Sequence, residues 1–111
     1  MTWISLQTEE HLNQLTQLSY TKPQVIFKHS TRCSISSVAK NRLERSNQPE
    51  EMDFHFLDLI KYRPLSNKIA ETFSVYHESP QILVIKNGEC IYDESHSSID
   101  MEEIIQQALV A

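Results

Sequence analysis

Three short runs of contiguous apolar residues constrain this chain most: "QVIFK" from Gln24, "DFHFLDLI" over 53–60, and "QILVIK" over 81–86. Val25, Ile26 and Phe27 stand side by side instead of alternating with polar residues. A strand with that pattern is covered on both faces. The segments between the runs carry apolar residues at helical spacing. A central sheet with helices on both faces follows.

The remaining elements can be set around these strands. Residues 3–6 suit a short strand. Residues 8–19 predict a helix, with Thr8 as its cap, Glu9 and Glu10 in its first turn, and Leu12, Leu15 and Leu18 on one face. After Cys33 a second helix is expected, with Ile35, Val38, Ala39 and Leu43 on its inner side and Lys40, Arg42 and Arg45 towards its end. Pro64 opens a third helix, whose inner stripe is Leu65, Ile69 and Phe73. Asn87-Gly88 predicts a type I′ hairpin turn leading into a returning strand, "ECIYDE". A last helix is expected over 100–110, capped by Ser98 or Asp100, with Met101, Ile104, Ile105 and Ala108 inward. The order is β-α-β-α-β-α-β-β-α, a mixed central sheet in which parallel pairing is expected wherever a helix intervenes and antiparallel pairing at the hairpin.

Composition narrows the function. The 111 residues fit a single domain, 1–111, large enough to bury a core. A net charge of −5 argues against a general nucleic-acid grip, which needs a clustered basic face. The lone glycine, Gly88, excludes glycine-rich phosphate loops and dinucleotide fingerprints. No apolar stretch approaches the length of a membrane span, and the start of the chain lacks a secretory pattern, so the cytoplasm is the expected compartment. A free thiol stays reduced there, and a cysteine in a polar setting points to redox, catalytic or metal chemistry. Two cysteines and five histidines without paired ligand spacing give no zinc site.

The polar setting is "STRCSISS", residues 30–37, where a strand runs into a helix. A helix N-terminus presents unpaired N–H groups and partial positive charge, which favour a thiolate at Cys33. Arg32 adds a full charge, and Ser34 and Ser36 are placed as hydrogen-bond donors to the sulfur. Pro80, just before the 81–86 strand, is a candidate cis-proline that would turn the Ser79 backbone towards that sulfur. His29, four residues before Cys33, is either a proton shuttle or a packed strand-end side chain. His96, in "SHSSI", is expected near the ligand. Cys90 follows the hairpin turn at the far end of its strand, so a structural role is expected instead of pairing with Cys33.

Topology, cysteine position and "SPQ" together resemble the thioredoxin fold, a three-layer α/β/α domain. More narrowly, "FKHSTRCSISS", "DLIKYRPLSNKIAE", "HESPQILVIKNGE" and "SHSSI" resemble the monothiol bacilliredoxin family, from about Trp3 to Leu109. The resemblance implies an enzyme that removes bacillithiol, a low-molecular-weight thiol, from mixed disulfides on client proteins. It makes Cys33 the nucleophile, Ser36 the occupant of a dithiol motif's second-cysteine position, and Pro80 the cis-proline. Bacillithiol is then a co-substrate, with no resident cofactor, and a monomer acting without nucleic acid or membrane is expected. Two readings compete. One is an iron-sulfur carrier like the monothiol glutaredoxins, although "CSIS" lacks their Gly-Phe centre. The other is a non-catalytic module that holds an extended segment along Ser79-Pro80.

Overall fold

The computed structural model describes residues 1–109 of the chain. Its elements run β1 (Trp3–Ser5), α1 (Glu9–Leu18), β2 (Gln24–His29), α2 (Ser34–Arg45), β3 (Asp53–Asp58), α3 (Arg63–Phe73), β4 (Gln81–Lys86), β5 (Glu89–Ser95), a 3-10 turn at His96–Ser98, and α4 (Met101–Leu109). The order is the expected one. The last helix ends within the described residues at Leu109, and the expected position 110 lies outside them.

The five strands lie in the order β1-β3-β2-β4-β5. Strands β1 and β2 both pair parallel with β3, while β4 is antiparallel to both β2 and β5. The antiparallel β2–β4 pair departs from the expectation that an intervening helix gives parallel strands. The connection explains it. Helix α3 ends at Ser74, which is left-handed with φ 55°. Residues 74–80 can then span about 23 Å if extended, more than the rise of roughly 16 Å of the 11-residue helix. The chain thus returns to the sheet end that β3 left, and Gln81 enters opposite Lys28 near the C-terminal end of β2.

Strand alternation divides the core into two layers. Val25, Phe27, Phe54, Ile82 and Val84 pack with Ala39 and Leu43 of α2 and Ile104 and Ala108 of α4. Ile26, Leu57, Leu83 and Ile85 pack on the other face with Leu12 and Leu15 of α1 and Leu65 and Ile69 of α3. Trp3 stacks on Phe27 at 5.5 Å and donates its indole N–H to Glu44 at 2.8 Å, closing the β1 edge.

The caps follow the local sequence. Thr8 Oγ1 accepts from the His11 N–H at 3.1 Å, and the carboxylate of Asp100, not the Ser98 hydroxyl, accepts from the Glu103 N–H at 3.3 Å. Asn87 and Gly88 both have positive φ, 54° and 77°, as a type I′ turn needs. Leu18 was expected on the inner face of α1 but is half-exposed, being in the last turn where the helix leaves the sheet.

A larger difference concerns α2. Ile35 and Val38, expected inside, are 49% and 53% exposed, and the buried stripe is Ser36, Ala39 and Leu43. The inward stripe starts with Ser36 on His29 at the end of β2 and runs through Ala39 and Leu43 into the core, and Ile35 and Val38 lie on the flank of the helix towards the 3-10 turn.

Candidate active site

The site is assembled where β2 and β3 end and β4 begins. Cys33 is the N-cap residue of α2, with extended backbone (φ −115°, ψ 118°) and a partly exposed side chain. Its N–H donates to the Ser30 carbonyl at 3.2 Å, and its carbonyl accepts from the Ser37 N–H at 3.2 Å. The thiol therefore stands over the first turn of a 12-residue helix, at the end carrying the unpaired N–H groups.

Ser36 is fully buried, and its role differs from the expected one. Its Oγ lies 2.6 Å from His29 Nδ1 and accepts from the Ser30 N–H at 3.1 Å. Among the described residues no hydroxyl is hydrogen-bonded to the Cys33 sulfur. The expected Ser36-to-sulfur bond is replaced because the helical turn aims position 36 under the helix, towards the end of β2. Ser34 and Arg32 are both exposed, one on each side of the cysteine, and the Arg32 N–H donates to Ser30 Oγ at 3.3 Å. The turn from β2 into α2 is thus braced by Ser30 and Ser36 together.

His29 is buried between Phe27, at a ring distance of 5.9 Å, and Phe56, at 5.3 Å. Burial, with Lys40 nearby, holds its pKa below the usual histidine value against the pull of Asp58. A neutral ring bonded to Ser36 fits the packed strand-end reading.

The opposite wall is the Ser79–Pro80 segment, joined by a cis peptide bond. Pro80 is buried, and the Ser79 hydroxyl is buried without a hydrogen-bond partner among the described residues. The Pro80 carbonyl accepts from the His96 N–H at 3.0 Å, which fixes the exposed His96 beside the proline. His96 has positive φ, 58°, at the start of the 3-10 turn. Arg42 of α2 clamps that turn by donating Nη1 to the carbonyls of Ser97 at 2.9 Å and Ile99 at 3.0 Å. Between α2 and the turn runs a groove of about 190 Å³ lined by Ser34, Ile35, Val38, Arg42, His96 and Ser97. The sequence pattern assigned Ile35 and Val38 to the core, so it missed this groove. A signal was present: Ser36 falls on the stripe that those two residues would otherwise extend inward.

Cys90 sits at the other end of the sheet. It pairs with Ile85, which pairs with Gln24, the first residue of β2. Five residues of strand, about 17 Å, separate Gln24 from His29, and no disulfide to Cys33 spans that. The Cys90 thiol donates to the Tyr92 carbonyl at 3.3 Å, and burial pushes its pKa up to about 11.

Residues 4–104 match the monothiol bacilliredoxin BrxC family. The chain belongs to the monothiol bacilliredoxin family. Solved structures agree at the level of fold. A protein described as a candidate oxidoreductase with a thioredoxin fold is 30% identical, with a TM-score of 0.83 over 95% of this chain and 92% of that one. A thioredoxin from Malassezia sympodialis (Mala s 13) is 17% identical, with a TM-score of 0.79 over 96% and 91%. Reduced Schistosoma mansoni thioredoxin is 22% identical, with a TM-score of 0.71 over 98% and 100%. The chain is thus a thioredoxin-like redox protein with Cys33 at the start of α2. No helix among its described residues is long and apolar enough to cross a membrane.

Proposed function

We propose that this bacilliredoxin is a monothiol thiol-disulfide oxidoreductase that removes bacillithiol from client-protein cysteines. The observation that carries the reading is the pairing of one accessible cysteine with a buried hydroxyl. Cys33 stands at a helix start, at the sheet end where β4 begins after Ser79–Pro80, and the second-cysteine position holds Ser36, whose oxygen is committed to His29 and Ser30.

The steps balance as two thiol-disulfide exchanges. The Cys33 thiolate attacks the bacillithiol sulfur of the client mixed disulfide. The client–bacillithiol S–S bond breaks, the client leaves as a thiolate that takes a proton, and a Cys33–bacillithiol disulfide forms. No oxidation state is lost: one disulfide is exchanged for another. A second thiolate, from free bacillithiol or a redox protein, then attacks the adduct. It leaves with the bacillithiol as a new disulfide and restores Cys33.

Each neighbour has a proposed task. Arg32, exposed beside Cys33, attracts an anionic thiol, and the Ser34 hydroxyl lies within the same polar rim. The Ser79 backbone holds the disulfide in strand fashion beside Pro80, and His96 lines the groove that receives one half of the bound disulfide. His29 braces Ser36; a role as a proton shuttle is not needed for either exchange.

The test is direct. The protein is incubated with a bacillithiolated client and weighed by mass spectrometry, alongside a glutathionylated client and Cys33→Ser. Transfer of one bacillithiol to Cys33 supports the reading. Equal transfer of glutathione would remove the assignment of the small thiol, and transfer to Cys33→Ser would remove the assignment of the nucleophile.

A further inference from the structure

Lys28 is the side chain that the reaction above leaves unused and that ordinary packing does not explain. It lies in β2, the central strand, with its side chain wholly buried. Lysines are rarely buried without a charged partner, and among the described residues no carboxylate pairs with it. Its Nζ instead reaches the Ser66 carbonyl of α3 at 3.1 Å and His77 Nδ1 at 3.3 Å. An ammonium only donates, so His77 Nδ1 accepts and the ring proton sits on Nε2. Ser66 Oγ approaches the same Nδ1 at 3.2 Å. Burial pushes the Lys28 pKa down to about 8. Burial, then Lys28 and Arg63, hold His77 below its usual value against the opposing Glu78. The ammonium is thus kept in the interior at a cost, and such local violations concentrate at functional sites.

The position of His77 gives the reason. It belongs to the 74–80 segment that ends in Ser79–Pro80. That segment is tied at two successive residues. Lys28 and Ser66 hold His77, and Gln81 Nε2 donates to the Tyr76 carbonyl at 2.8 Å. Lys28 and Gln81 are themselves direct cross-strand partners, so both ties spring from one rung of the sheet. Only Glu78 and Ser79 lie between the tied residues and the proline. The neighbour of Lys28, His29, points to the other face and holds Ser36 at 2.6 Å. Two consecutive residues of one strand therefore set the two walls between which Cys33 works.

From this we infer that Lys28 is a positioning residue for disulfide exchange: through His77 it fixes the Ser79–Pro80 wall where a bound mixed disulfide is held against Cys33. The inference rests on the redox reading given above. It separates Lys28 from the chemistry itself, since the amine touches neither sulfur nor substrate.

The test uses the full chain with Lys28→Met, His77→Ala and His77→Asn, and a bacillithiolated peptide as probe. Methionine keeps the length and removes both donated bonds, and it spares a buried charge, so Lys28→Met is expected to melt no lower than wild type. Its KM for the peptide is expected to rise about tenfold with kcat within about twofold, the scale of a lost hydrogen bond. His77→Ala is expected to follow it. His77→Asn offers an amide oxygen near the place of Nδ1 and is expected to restore most of the loss. An unchanged KM in Lys28→Met overturns the inference, as does a loss of activity that merely follows a lowered melting temperature. If wild type turns over no mixed disulfide, the redox reading fails, and positioning is read separately by amide exchange at 77–79. Faster exchange in Lys28→Met would then uphold the positioning role, and unchanged exchange would overturn it.

Discussion

At the scale of the residue, the two cysteines differ by environment and not by chemistry. Both are partly exposed, but Cys33 caps a helix start, whereas the Cys90 thiol is bonded to the Tyr92 carbonyl and, pushed up to about 11 by burial, is almost wholly protonated at pH 7. Iodoacetamide at pH 7 is expected to label Cys33 at least about a hundredfold faster than Cys90, read by peptide mass mapping. Comparable labelling of both would contradict the assignment. Ser36 is a second residue-scale test. Ser36→Ala leaves the buried Ser30 N–H without its acceptor and His29 without its partner, so a loss of about 1–3 kcal/mol in urea unfolding is expected. A neutral substitution would mean that the hydroxyl had faced the sulfur after all. The positions of Cys33 at a helix start, of Pro80 before β4 and of Cys90 at the far end of the sheet were legible because each follows from a local signal: a strand-helix junction, a proline before a strand, and a hairpin turn. The partner of Ser36 was not legible, because the contact with His29 spans seven residues across a change of element and has no period.

At the scale of the element, the patterns that repeat were readable and the geometry of joining was not. Strand runs, helix caps and the Asn-Gly turn depend on neighbours in sequence, so their positions could be read from residues alone. The antiparallel entry of β4 depends on how far the 74–80 segment doubles back, which no periodicity encodes. The contact of Ser36 with His29 likewise sets the rotation of α2 and leaves Ile35 and Val38 outward, contrary to their apolar character. The hairpin offers the element-scale prediction. Gly88 has φ 77°, and a Cβ there would collide with the Tyr20 hydroxyl. Its N–H also donates to Ser19 Oγ at 2.9 Å, which ties the turn to the end of α1. Gly88→Ala is expected to destabilise the protein by about 1–3 kcal/mol in urea unfolding, since a Cβ strains the positive φ that the turn requires and pushes the Tyr20 ring aside.

At the scale of the whole molecule, buried neutral histidines set the response to acid. Burial pushes the His55 pKa down to about 4, and His11 adds to that push against the pull of Asp53. His11 Nε2 lies 3.2 Å from His55 Nδ1, and His55 Nε2 lies 2.7 Å from Gln24 Oε1. His29 and His77 are also held below the usual histidine value, each first by burial. A depressed histidine pKa means that the unfolded chain binds more protons than the folded one between the two values. Stability is then fully present above about pH 6.5 and falls as pH drops towards 4, by up to about 3 kcal/mol for His55 alone. Thermal melts from pH 7.5 to 4.5 are expected to show a steady decline, and His55→Gln is expected to flatten it. A melting temperature constant across that range would contradict the neutral-histidine assignment.

The same whole-molecule view gives the reaction its distinguishing kinetics. With Ser36 buried under α2 and Cys90 at the far end of the sheet, no second sulfur within the chain can release an adduct from Cys33. The most direct measurement is a burst experiment with excess bacillithiolated client and no added thiol, followed by intact mass. One client thiol is expected to be released per protein chain, after which the reaction stops with a single bacillithiol held on Cys33 until free thiol is added. Continued turnover without added thiol, or a Cys33–Cys90 disulfide two hydrogens lighter than the reduced chain, would contradict it.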